Sequence, residues 1–109
     1  MLFISLEDFF DRVKGMQPLT GEQEKELARA MAQGDVQARQ QLICSYLPLV
    51  ATLVRKAPPE IRTLHTVYSA IATVERGVDT FNFLHSNEPF YHHLNWRLRQ
   101  CITRCIAQH

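Results

Sequence analysis

The sequence has little of what builds catalytic and metal centres. Its three cysteines, Cys44, Cys101 and Cys105, form no CxxC pair, so neither a zinc site nor a disulfide framework is indicated. Cys101 and Cys105 are spaced to share one helix face as buried thiols, and the expected compartment is a reducing cytoplasm. The four glycines are scattered, and no Gly-rich phosphate loop, GxSxG, HExxH, Walker or calcium-loop pattern occurs. His92 and His93 are neighbours, but adjacent helical residues point about 100° apart and do not chelate one ion together. The acids sit mostly at helix starts, where capping and dipole terms account for them. No metal, cofactor or enzymatic activity is therefore expected. No apolar run approaches a membrane span, no signal-peptide pattern opens the chain, and strand alternation and internal repeats are absent.

What is present is ordinary globular material with one charge asymmetry. The chain has 109 residues, 46% hydrophobic and 21% charged, with a formal net charge of +1. That fits a single domain with a modest core and argues against disorder. All eleven acids lie at or before Glu88; beyond it come Arg97, Arg99, Arg104 and three histidines. An acidic front and a basic tail place any nucleic-acid contact at the C-terminal end.

Helical periodicity runs through the chain. A first amphipathic helix starts at Ser5, with Leu6, Phe9, Phe10 and Val13 on its apolar side, and is ended by Gly15 and Pro18. Thr20 and Gln23 have capping-box spacing for a second helix, which stops at Gly34. Its stripe of Leu27, Ala30 and Met31 is thin, so it belongs on the outside. Asp35 caps a third, central helix expected to reach about Lys56, with a kink at Pro48. After Ala57, Pro58 and Pro59, a fourth helix is expected from about Glu60 to Phe81. It carries a core stripe of Ile61, Leu64, Val67, Tyr68, Ile71, Val74, Val78 and Phe81. Its mild outer face holds Arg62, His65, Ser69, Thr73, Arg76 and Thr80. The expectation is an all-α fold, a compact bundle of four to five helices.

The last helix, FYHHLNWRLRQCITRCIAQ over 90–108, has two unlike faces. Phe90, Leu94, Leu98, Cys101, Ile102 and Cys105 fall on one side. Trp96, Gln100 and Thr103 fall on the other, with Arg99, Arg104, His92 and His93 around them. Nucleic-acid readers combine arginines for phosphates, amides and hydroxyls for base edges, and an aromatic for an unpaired base. A generic helix-turn-helix reader fits less well, because such readers rarely centre on a tryptophan.

Two segments together resemble the core domain, region two, of bacterial RNA polymerase sigma factors. LTGEQEKELARAMAQGDVQARQQLICSYLPLVATLVRK is similar to the family's opening. That opening has Leu19 and Thr20, an acidic helix, Gly34 and Asp35, then Ala38, Arg39 and Leu42 in a helix ending in Arg55 and Lys56. WRLRQCITRCIAQ is similar to the family's promoter-reading helix, with Trp96, Arg99, Gln100, Ile102, Thr103 and Arg104 matching as they stand. The resemblance spans Leu19 to about Gln108. It implies one domain over 1–109, with an N-terminal helix and linker over 1–18 and the sigma-like core over 19–109.

The resemblance implies docking on the clamp region of the largest subunit of core RNA polymerase, and recognition and opening of the minus-ten element of promoter DNA. Gln100 and Thr103 would read the base pair at its upstream end, Trp96 would stack at the edge of the opening duplex, and Arg99 and Arg104 would hold phosphates. Phe90, His93 and Arg97 belong to the same DNA-binding region. His93 stands where the family has tyrosine, and Arg97 where it has a second tryptophan. The polymerase-binding helix, usually Asp-Leu-Ile-Gln-Glu-Gly-Asn-Ile-Gly, reads HTVYSAIAT here; His65, Tyr68, Ser69, Ala72 and Arg76 would form its docking face. The domain that reads the minus-thirty-five element would come from a second chain. The alternative is a repurposed sigma-like protein-interaction module that regulates transcription without reading DNA. An exposed apolar patch at Tyr68 and Ile71 would favour it.

Overall fold

The computed structural model describes residues 2–109. Among these the helices are α1 (Leu6–Val13), α2 (Gly21–Ala32), α3 (Val36–Ser45), α4 (Leu47–Lys56), α5 (Leu64–Thr80) and α6 (Phe90–Gln108), with a 3-10 turn at Pro59–Ile61 between α4 and α5. One buried cluster joins them, from Phe9 and Val13 of α1 through Leu42, Leu47, Val50, Val54, Val67 and Val74 to Leu94 and Leu98 of α6. The fold is the expected all-α bundle. Counting α3 and α4 as one broken helix gives five. Among the described residues no helix is long and apolar enough to cross a membrane.

The helix starts follow from their caps. Ser5 Oγ accepts from Asp8 N–H at 3.0 Å, and Asp8 reaches back to accept from Ile4 N–H at 3.0 Å. Thr20 and Gln23 form the reciprocal capping box, with bonds of 3.0 and 3.1 Å. The end of α2 is a left-handed glycine cap. Gly34 has φ +94, its N–H donates to Met31 C=O at 2.9 Å, and Asp35 N–H donates to Ala30 C=O at 3.0 Å. Asp35 then caps α3 through its carboxylate, which accepts from Gln37 and Ala38 N–H. Gly34→Ala is expected to cost about 1 kcal/mol, the strain of an L side chain in that region. The reason is conformational and not steric, because nothing lies within 4 Å of an added Cβ. A urea unfolding curve measures it.

The central helix breaks two residues before the proline. The backbone leaves helical geometry at Tyr46 (φ -104, ψ 1). Pro48 has no N–H to give the Cys44 carbonyl, and its ring crowds that same turn. The chain responds by tightening: Tyr46 N–H bonds Ile43 C=O at 3.1 Å, and Ser45 Oγ donates to the Leu42 carbonyl at 2.7 Å. Pro48 itself lies in the first turn of α4, where a missing donor costs nothing.

The next helix starts later than its hydrophobic stripe implies. Pro58 and Pro59 hold 59–61 in a 3-10 turn, and Thr63 caps α5 by accepting from Thr66 N–H at 3.3 Å. Ile61 is still buried, which is why the stripe extends past the real helix start.

One ion pair spans the bundle. Arg39 of α3 grips Asp79 of α5 through two bonds of 2.7 and 2.8 Å. The hydrogen bond from Arg39 holds the Asp79 carboxyl below its ordinary value of 3.8. A depressed carboxylate stabilises the fold above its unfolded pKa, and that stability is lost as pH falls through the folded pKa. The expected outcome for Asp79→Asn is a loss of at most about 1 kcal/mol at pH 7, because the pair is half exposed. The gap from wild type should close as pH falls through the lowered folded pKa of Asp79. Denaturation midpoints across pH 2–7 test both points.

Candidate nucleic-acid interface

Helix α6 is set by a cluster of rings at its first turn. Phe90 is 1% exposed. Its ring centroid lies 5.0 Å from Tyr46, 5.0 Å from Phe81 and 4.7 Å from Phe83. Helices α5 and α6 run antiparallel and pack tightly at Gly77, where an added Cβ would lie 3.4 Å from Leu94 Cδ1 and 3.5 Å from Phe90 Cζ. Tyr46 is locked into this cluster from the other side by donating its hydroxyl to Glu24. Burial, reinforced by that carboxylate, pushes the phenol far above its ordinary range, so Tyr46 stays a neutral donor.

This anchoring turns the apolar face of α6 inward. Phe90, Leu94, Leu98 and Cys101 are buried, and Ile102 and Cys105 are half-buried. Cys105 and Cys44 are free thiols. Burial raises the pKa of each, so neither is a thiolate nucleophile at neutral pH.

The opposite face is open. Trp96 is 61% exposed. Together with Arg99, Gln100, Thr103 and Arg104 it borders an open hollow of about 520 Å³. Among the described residues no salt bridge engages Arg97, Arg99 or Arg104. Thr103 Oγ1 donates to the Arg99 carbonyl at 2.9 Å, so it offers outward only its oxygen lone pairs and methyl group. Among the described residues the Gln100 amide has no such internal bond, which leaves both its donor and its acceptor open.

The placement of the remaining candidates is uneven. Phe90 is a correction: sealed in the core, it touches no ligand from outside, and it acts by holding α6. Its place on the apolar stripe was the signal for burial. His93 is half-buried against Phe81, with ring centroids 5.2 Å apart. Arg97 is half-buried and enters a second hollow, of about 180 Å³, between α5 and α6.

Arg76 and Thr73 of α5 line that second hollow together with Trp96, Arg97, Gln100 and Arg104. The residue expected on the polymerase side thus joins the basic face. The signal was its helical spacing with Thr73 on the mild face of α5; the antiparallel packing that brings that edge beside α6 is a tertiary fact. On the other flank, Lys56 and Pro58 meet Arg99, Thr103 and Ile106.

On the expected docking face of α5, His65 and Ala72 are exposed and Ser69 is half-buried. Tyr68 is half-buried and occupied: its hydroxyl accepts from Phe3 N–H at 2.8 Å and lies 3.2 Å from the Phe3 carbonyl. Ile71 is buried. The exposed apolar patch that would mark a protein-only module is therefore missing at Tyr68 and Ile71.

No model of a known protein family matches the chain.

Proposed function

We propose that the chain is a sigma-like transcription-initiation domain, without enzymatic activity or cofactor. Its α6 face recognises or melts the promoter minus-ten element. Its α5 docks on the clamp region of core RNA polymerase, and a partner chain supplies the rest of the factor. The observation that carries this reading is the exposed Trp96, flanked by Gln100 and Thr103 and bordered by arginines that form no salt bridge among the described residues. Trp96 stacks on an unpaired base, Gln100 and the Thr103 oxygen read a base edge, and Arg99, Arg104, Arg97 and Arg76 hold phosphates from two helices.

The arrangement suits opened DNA. A flat indole standing clear of the surface needs a base face, and duplex stacking hides base faces except at an edge or a melted step. The arginines supply sequence-independent affinity that falls with salt. Purified chain mixed with bacterial core RNA polymerase is expected to co-migrate on size exclusion at low and moderate salt. Separate elution at both salts contradicts polymerase docking and leaves the α6 face to act through a partner chain.

A further inference from the structure

We infer that residues 2–4 form a releasable strap over one edge of the α5 face, and that a protein docking on that face displaces Phe3 from Tyr68. The inference rests on the reading of α5 as a polymerase-docking helix. The strap alternates: Phe3 is 5% exposed, while Leu2 and Ile4 are 79% and 90% exposed. Phe3 is thus its one buried anchor, set edge-on to Phe9 with centroids 5.0 Å apart and 6.3 Å from the Tyr68 ring. The Arg12 guanidinium lies over the Phe3 ring, 4.7 Å from its centroid.

Among the described residues the hydrogen bonds to the strap's backbone come from side chains. Arg12 donates to the Leu2 carbonyl, Tyr68 engages both backbone groups of Phe3, and Asp8 accepts from Ile4 N–H. No helix or sheet ladder propagates through it, so it opens without unfolding its neighbours. Leu2 and Ile4 are already in water and so add little to holding the strap closed, which leaves Phe3 as its one apolar anchor. Tyr68 lies at helical spacing from His65 and Ala72, both exposed. A partner centred on those residues meets the strap at the Tyr68 edge. Releasing Phe3 uncovers the face of the Tyr68 ring for that partner. The closed strap lowers apparent affinity by the fraction of chains that are open.

Two measurements on the full chain test this. In native-state hydrogen exchange, the Phe3 and Ile4 amides should exchange through a denaturant-independent opening, at least tenfold faster than the Val67 and Val74 amides. Phe3 exchange that follows the denaturant dependence of Val74 overturns the strap. In binding to core RNA polymerase, Phe3→Ala should bind at least tenfold tighter than wild type. Tyr68→Phe keeps the ring and the core, loses both hydrogen bonds to the Phe3 backbone, and should bind at least fivefold tighter. Equal or weaker binding by both variants, where wild type binds, overturns the strap alone. Absence of binding by all three removes the docking role of α5 and with it the gating role of the strap.

Discussion

Replacing Phe90 by alanine is expected to cost about 3–5 kcal/mol of folding stability. The ring is 1% exposed and sits where three parts of the chain converge. Tyr46 comes from the break between α3 and α4, Phe81 and Phe83 from the connection after α5, and Gly77 from α5 itself. Gly77 is fixed within α5, the Phe81 N–H is tied back to the Gly77 carbonyl at 2.9 Å, and Tyr46 is held by its bond to Glu24. They collapse poorly into the space left behind, which puts the loss in the upper range for a cavity. Domains of this size are stable by about 5–15 kcal/mol, so the variant is near its unfolding threshold at room temperature. The urea midpoint should fall with its slope unchanged. Because Phe90 presents no surface, any loss of oligonucleotide binding should track the unfolded fraction. A folded Phe90→Ala protein with abolished binding would instead mean that Phe90 reaches the DNA.

Trp96→Ala should do the reverse. Its indole is mostly in solvent, so stability should move by no more than about 0.5 kcal/mol. Binding to a single-stranded oligonucleotide should weaken by about 1–3 kcal/mol, or roughly five- to hundredfold. Gln100→Ala and Thr103→Ala should act differently again. With the Thr103 hydroxyl proton committed to the Arg99 carbonyl, Thr103 in the proposed role would discriminate through its lone pairs and methyl. Gln100 brings both amide functions. Their removal should flatten sequence preference at one position, worth about 1–3 kcal/mol, with a smaller loss of general affinity. Fluorescence anisotropy on a promoter strand and on single-base variants of it reads both effects. Promoter binding unchanged by the triple substitution would remove the assigned roles of all three.

Local chemistry made much of the fold legible before any coordinates. Ser5, Thr20 with Gln23, Asp35 and Gly34 each carry their terminus in their own side chain or lack of one, and each stands where its spacing implied. The two faces of α6 were legible because nineteen residues give the 3.6 period room to declare itself. What escaped the sequence depended on neighbours. Pro48 announced a break, but its clash acts on the preceding turn, so the kink fell at Tyr46. Ile61 continues the apolar stripe of α5 although it belongs to a 3-10 turn, because burial does not require helix. Phe90 read both as core and as part of the aromatic DNA region, and the surrounding rings decide for the core. Arg76 changed sides because Gly77 lets α5 approach α6. Tyr68 lies both on the core stripe and on the expected docking face, and the long-range contact from Phe3 is what covers it.

The central claim is that α6 holds an exposed single base on Trp96, and the chain carries its own reporter, since Trp96 is its only tryptophan. The direct measurement is quenching of that fluorescence on titration with a single strand of the minus-ten element, a scrambled strand and the closed duplex, at two salt concentrations. The account predicts saturable, salt-sensitive quenching, strongest with the minus-ten strand and weakest with the duplex. Unchanged emission with all three, or equal quenching by the promoter and scrambled strands, would contradict it.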